Sequence, residues 1–139
     1  MKVRDLMHKG VDIMAPDTPV PKLAKKMREK DIGAIPVGTN GKLVGMVTDR
    51  DITVRAVANG KDITQMTAQE VMTKGVVCCR DTDRVRKVLE VMEEKQIRRI
   101  PVTDDNDQVI GMVSLGDISK SVSGKAAGEV LQAVATHHA

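Results

Sequence analysis

Gly45-Met46-Val47-Thr48-Asp49-Arg50-Asp51-Ile52 is answered 66 residues later by Gly111-Met112-Val113-Ser114-Leu115-Gly116-Asp117-Ile118. Working back from this phrase, the match continues at an offset of 65. Ile35-Pro36-Val37 corresponds to Ile100-Pro101-Val102, and Val20, Leu23, Ala24 and Met27 to Val85, Val88, Leu89 and Met92. The stretch from Met7 to Ile52 therefore returns as Met72 to Ile118, with one residue inserted in a loop of the second copy. Duplication at this length implies two similar bodies packed with pseudo-two-fold symmetry, so a site built on one copy has a counterpart on the other.

Outward from the repeat, each copy opens with a short amphipathic helix, Val3 to Met7 and Thr67 to Met72, the second fixed by the capping-box spacing of Thr67 and Glu70. A short strand is predicted at Val11 to Met14 and Val76 to Cys79. Thr18 and Thr82 then read as N-caps, with Pro19 and Asp83 at the first helical position. The helices they open bury one stripe each: Val20, Leu23, Ala24 and Met27, then Val85, Val88, Leu89 and Met92. Gly33 to Val37 and Arg98 to Val102 read as buried strands, with Pro36 and Pro101 pushing them towards sheet edges or irregular pairing. Thr39-Asn40-Gly41-Lys42 and Asp104-Asp105-Asn106-Asp107 are hairpin turns into strands Leu43 to Thr48 and Val109 to Ser114. Helices Asp49 to Ala58 and Gly116 to Val122 close the copies.

The expected fold class is α/β (α+β), two βαββα motifs in one module over residues 1–123. Residues 1–60 form the first motif with its helical leader, and 67–123 the second. The tail, 124–139, is read as a docking helix through Val130, Leu131 and Val134.

Composition narrows the function. Of 139 residues 41% are apolar and none is Phe, Tyr or Trp, so nine Met residues help Val, Ile and Leu to fill the core. Aromatic stacking platforms for single-stranded nucleic acid cannot be built, and any purine bound here lies between aliphatic side chains and backbone. A net charge of +3 is too small to mark a polyanion binder. The basic runs Lys22, Lys25, Lys26, Arg28, Lys30 and Arg84, Arg86, Lys87 read first as solvated helix faces, with phosphate attraction as the rival. No apolar stretch approaches the roughly 20 residues of a membrane span, and the leader lacks a signal-peptide core, so a cytoplasmic protein is expected. Cys78-Cys79 on a strand point to opposite faces and read as two reduced structural thiols. No Ser/Cys-His pairing, carboxylate pair or metal cluster is recognisable, which argues against an enzyme. His8 reads as a surface residue.

The chemistry rests on Thr48-x-x-Asp51 and Ser114-x-x-Asp117, each where a strand turns into a helix after Gly-Met-Val. As structure, a hydroxyl with a carboxylate three residues on is a helix cap. As function, a helix N-terminus with a hydroxyl can hold phosphate, and a carboxylate one turn in can accept the hydroxyls of a ribose. The adjacent Gly allows close backbone approach. Its occurrence in both copies favours ribonucleotide binding.

The βαββα order, the Ile-Pro-Val strand and the tandem Gly-h-h-Thr/Ser-x-x-Asp phrase resemble a pair of cystathionine-β-synthase (CBS) domains, the Bateman module. The resemblance spans roughly residues 2–122 and is greatest to small stand-alone prokaryotic members. It implies regulatory binding of AMP, ADP, ATP or S-adenosylmethionine in two clefts between the copies, with no required cofactor or metal. It further implies a homodimer and a regulated partner protein. Asp51 and Asp117 would bind ribose, and Thr48 and Ser114 the phosphate or ribose side. Ile32, Gly33 and Ala34, with Ile97, Arg98 and Arg99 in the second copy, would border adenine or phosphate, as would Val11, Ile13, Val76 and Cys78. Both clefts are composite, and the motif leaves open which carboxylate serves which; the small Gly33 and Ala34 favour pairing with Ser114 and Asp117. Arg98-Arg99 replace Gly33-Ala34 in the second copy, bringing bulk into its purine space, so one or two occupied clefts are both compatible with the sequence. The alternatives are a ligand-free interaction module and a weak, salt-sensitive nucleic-acid binder.

Overall fold

The computed structural model describes residues 1–121 and 124–135. The chain divides into a contiguous unit, Asp12–Val76, and a discontinuous one, Met1–Val11 with Val77–Ala139. These units are out of phase with the repeat. The first leader, expected to accompany residues 1–60, lies with the second copy, and the leader at Thr67 lies with the first. The cause is backbone pairing. Val3 N–H donates to Asp83 O and Val85 N–H to Met1 O, while Val20 N–H donates to Met66 O and Ala68 N–H to Thr18 O. Val3 is fully buried in one core and Ala68 and Val71 in the other.

The contiguous unit holds helix α1 (Val20–Lys30), strands β2 (Ala34–Thr39) and β3 (Lys42–Thr48), helix α2 (Asp49–Ile52) and helix α3 (Ala68–Val71). The discontinuous unit holds β1 (His8–Lys9), β4 (Cys79–Arg80), α4 (Val85–Lys95), β5 (Arg99–Thr103), β6 (Val109–Ser114), α5 (Leu115–Ser119) and α6 (Gly124–Ala135). Its sheet runs β1-β6-β5-β4, whereas β2 and β3 form a two-stranded sheet. Single bridges from Met14 to Val37 and from Thr73 to Met46 stand where the other unit has β4 and β1. The strand expected at Val11 to Met14 is reduced to that one bridge.

Helices α1 and α4 each bury a stripe, Val20, Leu23 and Met27 in one and Val85, Val88 and Met92 in the other. Ala24, expected in the stripe, is exposed, and Leu89 is half-buried. Both helices start later than the Thr18 and Thr82 caps predicted, with Pro19 and Arg84 as extended N-cap residues. The residues ahead are committed to the leaders, through the Pro19–Thr67 and Lys2–Arg84 bridges, before the helix can begin. Both end at left-handed residues, Asp31 (φ 53°) and Gln96 (φ 58°).

Asn40 and Gly41 both have positive φ and close the two-residue β2–β3 hairpin, as the Asn-Gly pair predicts. The inserted residue lengthens the β5–β6 turn, where the Asp104 carboxylate accepts from the N–H groups of Asn106 and Gln108. Of the two expectations for Pro101, a sheet edge or irregular pairing, the second holds: β5 is an interior strand whose register against β6 shifts between Val102 and Thr103. The sheet tolerates it because β4 pairs only with Val102 and Thr103, beyond the proline. The first leader forms a 3-10 turn, Val3–Asp5, rather than a helix to Met7. The helix expected over Asp49 to Ala58 changes at Thr53 to a π turn, Thr53–Val57, and Val122, the expected end of its counterpart, lies outside the described residues. The tail is helical and packs on α4 and α5; the side chains of Val130 and Val134 and the pair His137-His138 lie outside the described residues. No helix among the described residues is long and apolar enough to cross a membrane.

Candidate functional site

The two Thr/Ser-x-x-Asp junctions fold alike. Thr48 N–H donates to Asp51 Oδ2 at 2.9 Å and Asp51 N–H to Thr48 Oγ1 at 3.1 Å. Ser114 N–H donates to Asp117 Oδ2 at 2.9 Å and Asp117 N–H to Ser114 Oγ at 3.1 Å. Each carboxylate thus closes a reciprocal cap with one oxygen, and the capping reading of the motif is realised in both copies. The second oxygens differ. Asp117 Oδ1 lies 2.8 Å from His8 Nε2. Asp51 Oδ1 accepts a long 3.4 Å bond from Thr73 Oγ1 and stands 4.0 Å from Arg55 Nε. The Arg55 guanidinium also donates to the carbonyls of Val71 and Met72 at the end of α3.

His8 and Thr73 are repeat counterparts, 65 residues apart, and sequence reading assigned neither to the site. The offset that aligned the motifs was the signal, since it sets a histidine in one leader against a threonine in the other. Arg55 carries no such signal, because its contacts depend on where α3 lies.

The residues before each Ile-Pro-Val strand join the junction of their own copy. Ala34 pairs with Thr48, and Gly33 O accepts from Asp49 N–H at 3.0 Å. Arg99 pairs with Ser114, and Arg98 O accepts from Leu115 N–H at 2.7 Å. Ile32 is 41% exposed beside the first junction, while Ile97 packs on the core of the discontinuous unit. Val11, Ile13 and Val76 are half-buried, and Ile13 packs over Gly38.

In the discontinuous unit a cavity of about 640 Å³ opens beside the junction, lined by Arg98, Arg99, Ser114, Leu115, Gly116 and Ser119. Helix α6 contributes Gly124, Gly128 and Leu131 to the lining. The volume suits a small organic ligand. The two arginines line the space rather than fill it. Neither guanidinium has an ion-pair or hydrogen-bond partner among the described residues. Asp117 is not in the lining; its carboxylate is turned to Ser114 and His8.

The motif glycines have a different reason from close ligand approach. A Cβ on Gly111 would stand 2.6 Å from His8 O, and one on Gly45 2.6 Å from Met72 Sδ and 2.9 Å from Thr73 O. Their emptiness lets the leaders pair with β6 and β3. Cys78 is exposed and Cys79 buried, and neither is in a disulfide. No group of three or more His, Cys, Asp or Glu that could hold a metal occurs among the described residues.

Two βαββα copies, each ending in this capped junction, define a CBS pair. The CBS domain family matches the chain twice, at residues 3–57 and 68–124, and the chain belongs to that family. It is 36% identical over 130 residues to the CBS domain-containing protein YhcV of Bacillus subtilis, covering 93% of this chain and 91% of the relative. A crystal structure of Hypoxic Response Protein I with two coordinated zinc ions is similar with a TM-score of 0.80 at 35% identity, covering 88% of this chain and 100% of that one. The CBS domain pair of protein MJ0100, in complex with 5′-methylthioadenosine and S-adenosyl-L-methionine, is similar with a TM-score of 0.77 at 32% identity, covering 90% and 98%.

Proposed function

We propose that this chain is a non-catalytic regulatory module that binds an adenosyl ligand, of the class AMP, ADP, ATP or S-adenosylmethionine, and signals through a partner protein in the cytoplasm. The observation that carries the reading is the 640 Å³ cavity lined by Ser114 and by Arg98 and Arg99, which have no ion-pair or hydrogen-bond partner among the described residues. Its similarity to a CBS pair holding adenosyl compounds supports the chemistry. Thr48 and Ser114 serve the phosphate or ribose side, and Asp51 and Asp117 the ribose hydroxyls. Capping and ribose binding use different carboxylate oxygens: Oδ2 holds the turn, and Oδ1 is the acceptor a ribose would take from Thr73 or His8. In the contiguous unit Gly33 and Ala34, with Ile32, Ile13 and Val76, are the ligand-bordering residues of this reading, and in the discontinuous unit Arg98 and Arg99, with Ile97 and Val11. No resident metal or cofactor is part of this reading.

A thermal-shift panel of AMP, ADP, ATP, S-adenosylmethionine and NAD identifies the ligand. At about 100 times its dissociation constant, a ligand of the folded state adds about 2.7 kcal/mol. That raises the midpoint by roughly 5 to 10 degrees at this chain length. Calorimetric titration of Asp51→Ala and Asp117→Ala, after each is shown to be folded, then separates ribose contact from cap. A lost ribose acceptor weakens binding about ten- to a hundredfold. A lost cap costs only about 1 kcal/mol of stability. Undiminished affinity in both variants returns the carboxylates to capping alone.

The same reading includes a homodimer. Val54 and Val57, 44% and 58% exposed on the π turn, are apolar surface available to a second copy. Light scattering at micromolar concentration is expected to give twice the chain mass, and a monomer mass removes the dimer from the proposal.

A further inference from the structure

The cavity in the discontinuous unit has charge of one sign. Among the described residues Arg98 and Arg99 line it without ion-pair or hydrogen-bond partners, and no carboxylate is in its lining. Adjacent strand residues normally face opposite ways, but Arg98 lies in the bend before β5, and both arginines line the same space. Another part of the lining comes from α6, a helix outside the repeat. Gly124, Gly128 and Leu131 recur at helical spacing and present one face to the cavity.

Gly128 gives the wall its meaning. Glycine inside a helix is less favourable than alanine, so it needs a reason. Close packing is not the reason, because a Cβ there would meet no heavy atom within 4 Å. The absent side chain leaves open space in front of the two arginines, with the half-exposed Leu131 as an apolar surface beside it.

We infer that this cavity selects a polyphosphate ligand over a cationic one, and that α6 is part of the binding site. The phosphates sit between the Arg98–Arg99 pair and the glycine face of α6, where each guanidinium can make charge-assisted bonds to phosphate oxygens. A sulfonium such as S-adenosylmethionine brings positive charge to a wall already doubly positive. The inference rests on the adenosyl reading only for the nucleoside end of the ligand; the anion end stands on the cavity itself.

The test titrates inorganic pyrophosphate, ATP and S-adenosylmethionine calorimetrically into the full chain and three variants. Gly128→Glu places a carboxylate before the arginines, Gly128→Gln supplies the same bulk without charge, and Ala24→Glu adds the same charge on the exposed face of α1. Circular dichroism confirms that each is folded. Gly128→Glu is expected to weaken pyrophosphate and ATP by about tenfold or more, the loss of one charge-assisted contact. Gly128→Gln is expected to weaken them less, and Ala24→Glu to change them by less than about twofold. S-adenosylmethionine is expected to bind the wild type at least about tenfold more weakly than ATP. Wild-type affinity for ATP and pyrophosphate in Gly128→Glu overturns the inference, as does S-adenosylmethionine binding as tightly as ATP. Pyrophosphate binding that Gly128→Glu abolishes, with ATP no tighter, upholds the anion site and removes the adenosyl reading. ATP binding that ignores Gly128→Glu removes the anion site and leaves the adenosyl reading in place.

Discussion

Gly111→Val is expected to lower stability by about 3 kcal/mol, into the range of severe single substitutions. The branched side chain must occupy the space where a Cβ would already stand 2.6 Å from the backbone oxygen of His8. That neighbour is main chain and cannot swing aside like a side-chain end. Its displacement breaks the pairing of β1 with β6, in which His8 faces Met112 and Lys9 faces Gly111. It also loosens the leader that carries fully buried Val3 into the core. A loss of this size lowers the thermal midpoint by roughly 5 to 10 degrees at this chain length. Gly45→Val is expected to behave similarly but more mildly, because its nearest obstacle is the flexible Met72 side chain. A Gly111→Val midpoint within about two degrees of wild type would show that the leader is not held as described.

The second large effect concerns the vicinal thiols. Burial pushes Cys79 up to about 12, with the Asp83 carboxylate and Cys78 acting in the same direction. At pH 8 its thiolate population is about a thousandfold below that of an ordinary cysteine. Cys78 is also raised, chiefly by burial and secondarily by Asp107, yet it remains exposed. A native Cys79→Ser protein, retaining Cys78, is therefore expected to react with a thiol reagent. The Cys78→Ser protein, retaining Cys79, is expected to react about a thousandfold more slowly than free cysteine. The sign of the stability effect follows: Cys79 binds its proton more tightly folded than unfolded. Its contribution is complete below the ordinary thiol range and is lost as pH rises from there towards about 12. Equal reactivity of the two variants would contradict the burial of Cys79.

How far this was legible in sequence depended on whether the deciding interactions were local. Asn40-Gly41 requires two left-handed residues in a two-residue turn, and that chemistry lies in four adjacent positions. The Thr67–Glu70 cap and the opposite facing of Cys78 and Cys79 were equally local. Helix starts were misread because Pro19 and Arg84 answer to leader residues distant in sequence. Pro101 left an edge or irregular pairing open, and the short reach of β4, which pairs only beyond the proline, lets it stand in an interior strand of irregular register. At the junctions, the caps that Thr48 and Ser114 form with Asp51 and Asp117 were legible from their spacing. The cavity was not, since its walls come from β5, α5 and a helix beyond the repeat. His8 was set aside as a surface residue, and it is 74% exposed; its importance lies in the single atom it meets.

The phase difference between repeat and folding unit has a consequence for the order of assembly. Asp12–Val76 contains every strand and helix of its unit in one run, so it can close with mostly local contacts while later residues are still being added. The other unit cannot begin to close when its first residues appear. Met1–Val11 emerges first and its partners last, so Val3 waits for Val85, Ile100 and Ile118 while an intervening span of about 65 residues is completed. Prior compaction of that span shortens the search by removing its freedom as a coil. The early unit thus serves as a tether for the late one, and a cut between the copies would leave neither fragment with a complete unit.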